Sequence, residues 1–361
     1  MNKYLVAAAA GALTAGSAYA GGIDRSGQGV NILFEEGNYF QFTFSHANPS
    51  ATGTNPIANS NDVLKPFNGT GFGYKHELTD RLDIALLYGQ PFGAHVEYTD
   101  GLLSAAEGPL PFNGLAEIDS DAFTALLQYD LGNGFSIHGG ARALAVDGVI
   151  QSSLGVLSAD SSYDFGGVLG VAYEKPEIAL RVALTYSTAI DVSLDGTRSF
   201  PPIVEPADRS FDVEFPESVN LDFQTGIAPK TLLFGSIRWV GWDGFSLDTV
   251  DGQWVNFTDD TVTYSLGVGR QITDKLSLAL RFGYESPGDR PSTTALAPTT
   301  GSRSVGLGGT YQVNEKLSIS AGVTYSELGD QFVDLSSLGA PPLDFKDSDA
   351  WGAGFRIGYS F

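Results

Sequence analysis

A fourteen-stranded, antiparallel, all-β transmembrane barrel is the fold this sequence predicts, and three observations carry the prediction. The terminal strand sets Trp351, Ala353, Phe355, Ile357, Tyr359 and Phe361 on one face and Gly352, Gly354, Arg356, Gly358 and Ser360 on the other. An apolar, aromatic face suits lipid, and a small or charged face suits a wet lumen. Short turn phrases recur: Leu78–Leu82, Ile272–Leu276 and Val313–Leu317 each lead into a run of period two. After the first twenty residues no stretch of roughly 18 or more apolar residues remains, so strands rather than helices are the crossing elements.

Taken in chain order, the first element is a secretory signal peptide over residues 1–20. Lys3 gives a positive start, Tyr4 to Ala15 is apolar, and Ala18-Tyr19-Ala20 forms a cleavage site before Gly21. Residues 21–38 then precede the first strand, and 39–361 form the barrel. The first strand places Phe40, Phe42 and Phe44 on one face. Six hairpins follow. Their turns are the three repeated phrases together with Gly132-Asn133-Gly134, Glu174-Lys175-Pro176-Glu177 and Ala228-Pro229-Lys230. Asn, Asp, Gly and Pro at these points are turn chemistry. Twelve hairpin strands, the first strand and the last make fourteen. Short turns belong to the periplasmic side. The extracellular connections are therefore expected at about 47–68, 99–117, 149–161, 192–210, 243–258, 286–301 and 328–345, from alternation and turn residues.

Composition fits this class and excludes others. Forty-five glycines and fifteen tyrosines suit small lumen positions and aromatic girdles. A net charge of −22 argues against nucleic acid, whose phosphates need Lys and Arg. Many acids fall in the long connections, where they read as a solvated rim beside outer-membrane lipid and lipopolysaccharide. There is no cysteine, hence no disulfide framework. His46, His76, His95 and His138 are the only histidines and none stands in a nucleophile context, so no enzyme, metal or cofactor is expected.

Period two also assigns the lumen. Ile178, Leu180, Val182, Leu184 and Tyr186 face lipid, which turns Arg181 inward. The same parity turns Arg142 with His138, Arg238, Arg281 and Arg356 inward. There an Arg avoids the cost of about 2–4 kcal/mol it would carry at mid-membrane on the lipid face. Two readings stay open for these six side chains. They could contact a carboxylate ligand, or form a structural network with Asp83, Glu77 and Asp222. In the third strand Pro91 cannot donate to a ladder, and Gly89 and Gly93 weaken it further.

The tract Leu86 to Tyr98, the phrase Phe215-Pro216-Glu217-Ser218-Val219-Asn220-Leu221, and Asp289-Arg290-Pro291 through Ser304-Val305-Gly306-Leu307-Gly308 resemble FadL-type long-chain fatty acid transporters of Gram-negative outer membranes. The resemblance runs through nearly the whole mature chain. It implies a monomeric channel closed by an N-terminal hatch. Long-chain fatty acids or related hydrophobic molecules would be captured by extracellular loops and released sideways through a kinked third strand. Gly89, Gln90, Pro91, Phe92 and Gly93 match that kink by position; a β-bulge at Pro91 without a part in transport is the other reading. Leu102, Leu103, Leu110, Phe112 and Leu115 make the second loop greasy, which suits either capture or the packing of the loops against one another. The hatch of this chain, residues 21–38, is short against the family's, so a less specific diffusion porin with a reduced plug is the alternative.

Overall fold

The computed structural model describes residues 23–56, 59–98, 114–200, 204–288, 292, 294–334 and 341–361. Eighteen hydrogen-bonded segments form one sheet that closes on itself. Four pairs of these segments run end to end as interrupted strands, which leaves fourteen barrel strands. They are β1 (Tyr39–Ser50), β2 (Phe67–Thr79), β3 (Leu82–Gly89 and Gly93–Glu97), β4 (Leu115–Gly132) and β5 (Phe135–Ser152). Next come β6 (Gly155–Ser161 and Asp164–Lys175), β7 (Leu180–Ser187 and Ile190–Phe200), β8 (Val204–Phe215 and Ser218–Ala228) and β9 (Thr231–Val240). The last five are β10 (Thr261–Gln271), β11 (Leu276–Glu285), β12 (Ser302–Gln312), β13 (Leu317–Leu328) and β14 (Asp349–Ser360). Neighbouring strands are antiparallel. β1 joins β14 from Tyr39↔Ser360 to Ser50↔Asp349, which shuts the cylinder at the chain ends.

All six short turns lie where the sequence puts them. Gly132, Asn133 and Gly134 take left-handed φ values of 88°, 54° and 84°, which glycine and asparagine adopt at little cost. The lipid face is also as expected. Leu278, Leu280, Phe282 and Tyr284 are exposed on β11, and Trp351 and Tyr359 on β14.

The wall departs from the sequence expectation in the outer parts of β6, β7 and β8. Residues 149–161 and 192–210, expected as extracellular loops, are largely strand. β5 turns into β6 between Ser152 and Gly155, and β7 continues to Phe200. The reason is a break in each strand, at 162–163, 188–189 and 216–217, across which the parity reverses. In β7, Leu184 and Tyr186 are exposed on one side of the break, whereas Ile190, Val192 and Leu194 are buried on the other. In β8, Val213 and Phe215 turn inward, while Asp212 and Glu214 are exposed. These acids therefore stand on the outer face of strands, above the lipid-facing Leu184 and Tyr186, where a charge meets water rather than hydrocarbon.

Two small sheets cover the extracellular mouth. Ser246–Thr249 pairs with Gly252–Asn256. Thr52–Thr54, Asn59–Asp62, Gln331–Val333 and Leu343–Phe345 form a four-stranded sheet from the first and last long connections. It packs into a cluster with buried Val63, Tyr98 and Phe345.

Candidate transport path and the segment that fills it

The lumen is polar in its periplasmic half and apolar in its outer half. The inward residues of β5 show the gradient: His138 and Arg142, then Leu144, Val146 and Ile150. The outer half is a core in its own right. Phe92, Phe215, Trp242, Phe245 and Phe257 interlock there. Trp242 is fully buried, its ring centroid 5.2 Å from that of Phe245 and 5.5 Å from that of Phe257. Beside it lies an apolar pocket of about 50 Å³ walled by Ile118, Val146, Leu157, Leu194, Val213 and Leu247 among others.

β3 is interrupted at Gln90–Phe92. Its pairing to β4 survives on both sides, Gly89↔Ala122 and Gly93↔Asp119. Four steps along β3 thus oppose three along β4, a bulge of one residue. Ser120 holds the bulge: its Oγ accepts from Phe92 N at 2.9 Å and donates to Phe92 O at 2.7 Å. Phe92 swings into the apolar core, 4.9 Å from the Phe215 ring. The pairing to β2 lapses over a short stretch. The ladder ends at Phe72↔Tyr88, Phe67–Gly71 have no ladder partner on β3, and pairing resumes just before β2, where Lys65 N donates to His95 O at 3.1 Å and Glu97 N to Val63 O at 2.8 Å. A side chain supplies one substitute, since Thr70 N donates to Gln90 Oε1 at 3.1 Å.

Residues 23–38 enter the lumen and take up much of the polar half. A short 3-10 turn, Asn31–Phe34, buries Ile32 and Leu33 against Tyr39, Ala85 and Leu126. Arg142, Arg181, Arg238 and His138, expected in the lumen, meet this segment, whereas Arg281 and Arg356 line the cavity beside it. Arg238 Nε donates to Asp24 Oδ2 at 2.8 Å, and its Nη1 to Asn220 Oδ1 at 2.7 Å. Asn220 in turn donates to Gly27 O at 2.7 Å. Arg142 donates to Gln28 and, at 3.1 Å, to Thr124 Oγ1. Arg181 lies over the Phe34 ring at 4.5 Å and His138 meets that ring edge-on, its Nε2 2.9 Å from Thr185 Oγ1. Lys75 donates to Glu35 O at 2.7 Å and pairs with Asp83 at 3.1 Å. Burial holds the Asp24 carboxyl above its ordinary range, against the attraction of Arg238.

A central cavity of about 300 Å³ remains beside the segment. It is lined by Arg142 of β5, Arg238 of β9, Arg281 of β11 and Arg356 of β14, and by Phe67–Gly71 and Gly89–Pro91, so it reaches the broken seam. Of the residues expected in the second loop, Leu115 instead opens β4 and is half-buried. Leu102, Leu103, Leu110 and Phe112 lie outside the described residues. The apolar pocket has no counterpart in the expectations from sequence. The signal of the core around it is the alternation Ile190-Val192-Leu194 against Asp191-Ser193-Asp195, of which Leu194 lines the pocket and most falls in a stretch expected as loop. Among the described residues no cluster suited to a metal ion is present.

Solved barrels share this architecture. A FadL homologue from Pseudomonas aeruginosa superposes with a TM-score of 0.75 at 15% identity, covering 99% of this chain and 97% of that one. The toluene transporter TodX of Pseudomonas putida gives 0.68 at 15%, covering 98% of each chain. The toluene transporter TbuX of Ralstonia pickettii gives 0.60 at 12%, covering 91% and 90%. At these identities the likeness is one of fold. None of the curated proteins matches the sequence. A family profile described as "Outer membrane protein transport protein (OMPP1/FadL/TodX)" matches residues 92–361, about three quarters of the chain. This chain therefore belongs to the OMPP1/FadL/TodX family, Gram-negative outer-membrane β-barrels that transport hydrophobic compounds and are not enzymes.

Proposed function

We propose that this barrel passively takes up amphiphilic hydrophobic molecules, long-chain fatty acids first among them, and releases them sideways into the outer membrane between β2 and β3. One observation carries the reading: a single cavity touches both a set of four arginines and the unladdered stretch of wall. The arginines suit a carboxylate. The apolar core and pocket beyond them suit an acyl chain, which favours the bilayer over periplasmic water. A neutral monoaromatic hydrocarbon would make no use of the arginines. In this reading the signal peptide is removed before Gly21 and residues 21–38 are a reduced hatch, which closes the lumen to the periplasm.

The absence of cysteine gives a clean test. Thr70→Cys with Gln90→Cys places two thiols across the seam. Oxidation to a disulfide is expected to bring uptake of radiolabelled oleate down to the empty-vector level, and a reductant to restore it. Uptake that is equal in the oxidised and reduced forms removes the lateral route. Passage of small sugars without oleate uptake favours a diffusion porin.

A further inference from the structure

Arg25 borders the lumen cavity but reaches from it into the wall. Its backbone adds to the free edge of β3, since Arg25 N donates to Pro91 O and Gly93 N donates to Ile23 O, both at 2.8 Å. Its guanidinium lies over the Phe67 ring of β2 at 4.5 Å. Its Nη1 is 2.7 Å from Asp119 Oδ1 of β4. The side chain thus reaches from β2 to β4 across the interrupted β3. Asp119 belongs to the outward parity of its strand: Ser120 and Ala122 are buried, and Asp119 is half exposed while Arg25 is only 10% exposed. Gly93 leaves the room for this, because a Cβ there would stand inside the guanidinium.

We propose that Arg25 is the bolt of the lateral passage, filling the opening in the wall and held shut by Asp119. The proposal rests on the lateral route argued above and adds what controls it. The central cavity is lined by Arg25 together with Phe67, Gly89 and Pro91, so a molecule moving from it toward lipid meets the guanidinium first. The outer face supplies the attraction that keeps the bolt in place. Asp119 is directly opposite Asp147, and Asp147 opposite Asp160, a row of like charges across β4, β5 and β6. Like charges in cross-strand register repel, and a cation at the end of the row relieves that cost. Withdrawing Arg25 gives up one ion pair and one cation–π contact. That is a barrier small enough for reversible opening.

The test uses the full-length protein in cells, with uptake of radiolabelled oleate normalised to the amount of folded, protease-resistant barrel. Arg25→Met keeps an unbranched apolar stem and removes the charged fork, and Asp119→Asn removes its partner. Each is expected to raise the initial uptake rate about three- to fivefold, the open-state gain from losing an ion pair of this exposure. The exchanged pair, Arg25→Glu with Asp119→Arg, is expected to return the rate to that of the wild type, which a merely structural role would not do. Single variants that match or fall below an active wild type overturn the bolt and leave the lateral route standing. A double variant as fast as either single overturns it too. A wild type that takes up no oleate overturns the lateral route and the bolt together.

Discussion

Replacing Phe92 by alanine should loosen the interrupted third strand without unfolding the barrel. Phe92 is 3% exposed and its ring sits 4.9 Å from Phe215 and 6.0 Å from Trp242. Burial of such a side chain contributes about 1.5–3 kcal/mol. A well-placed ring pair adds about 0.5–1.5 kcal/mol. Phe→Ala in a packed core costs about 3–5 kcal/mol. A loss of about 3 kcal/mol is a factor of more than about 100 in the local opening equilibrium. The reporters are the amides that tie the bulge and the N-terminal segment together: Gly93 N–H on Ile23 O, Arg25 N–H on Pro91 O, and Phe92 N–H on Ser120 Oγ. Hydrogen exchange at these three should accelerate by about 100-fold, on the general relation between opening free energy and protection, while β11 to β13 stay unchanged. Acceleration of less than about threefold would show that Phe92 does not anchor the bulge. An equal effect in β11 to β13 would show that the wall opens only as a whole.

Two further pairs of variants test the wall. Val192 is fully buried and Ser193 is exposed, so Val192→Lys should cost more than about 3 kcal/mol in a urea titration of detergent-solubilised barrel and Ser193→Lys less than about 0.5 kcal/mol. Equal costs would contradict the parity reversal in β7. A Cβ on Gly140 would stand against the carbonyl oxygen of Ala125, whereas nothing lies within 4 Å of one on Gly89. Gly140→Ala should therefore collapse the yield of folded barrel. Gly89→Ala should leave stability within about 0.5 kcal/mol of the wild type in the same titration.

The hairpins are legible in the sequence because each is a local event. The phrase Ile272–Leu276 carries its own turn residues, and Leu276 to Tyr284 alternates around one constant face. The inward direction of Arg142, Arg181 and Arg238 follows from the same parity. What they hold does not follow, because their partners Gln28, Phe34 and Asp24 come from a segment with no period of its own. The outer parts of β6, β7 and β8 are hidden for a physical reason. Above the break the apolar set of β7 faces the lumen and the acids face water, the pattern of a soluble sheet, so closely spaced acids resemble a loop. A break of two residues reverses a strand without leaving a turn signal as strong as Asn-Gly.

The four-stranded sheet over the mouth bears on how the barrel assembles. Gly53 pairs with Phe345, and both connections they belong to flank the β1–β14 joint. At the opposite end Phe361 N donates to Asn38 O at 3.0 Å. The joint is thus fastened above and below by contacts between the two extremes of the chain. Contacts of such long sequence separation carry the largest loop-closure cost and form late. On that ground the sheet over the mouth is expected to form together with or after the β1–β14 joint, which would make it a marker of late assembly.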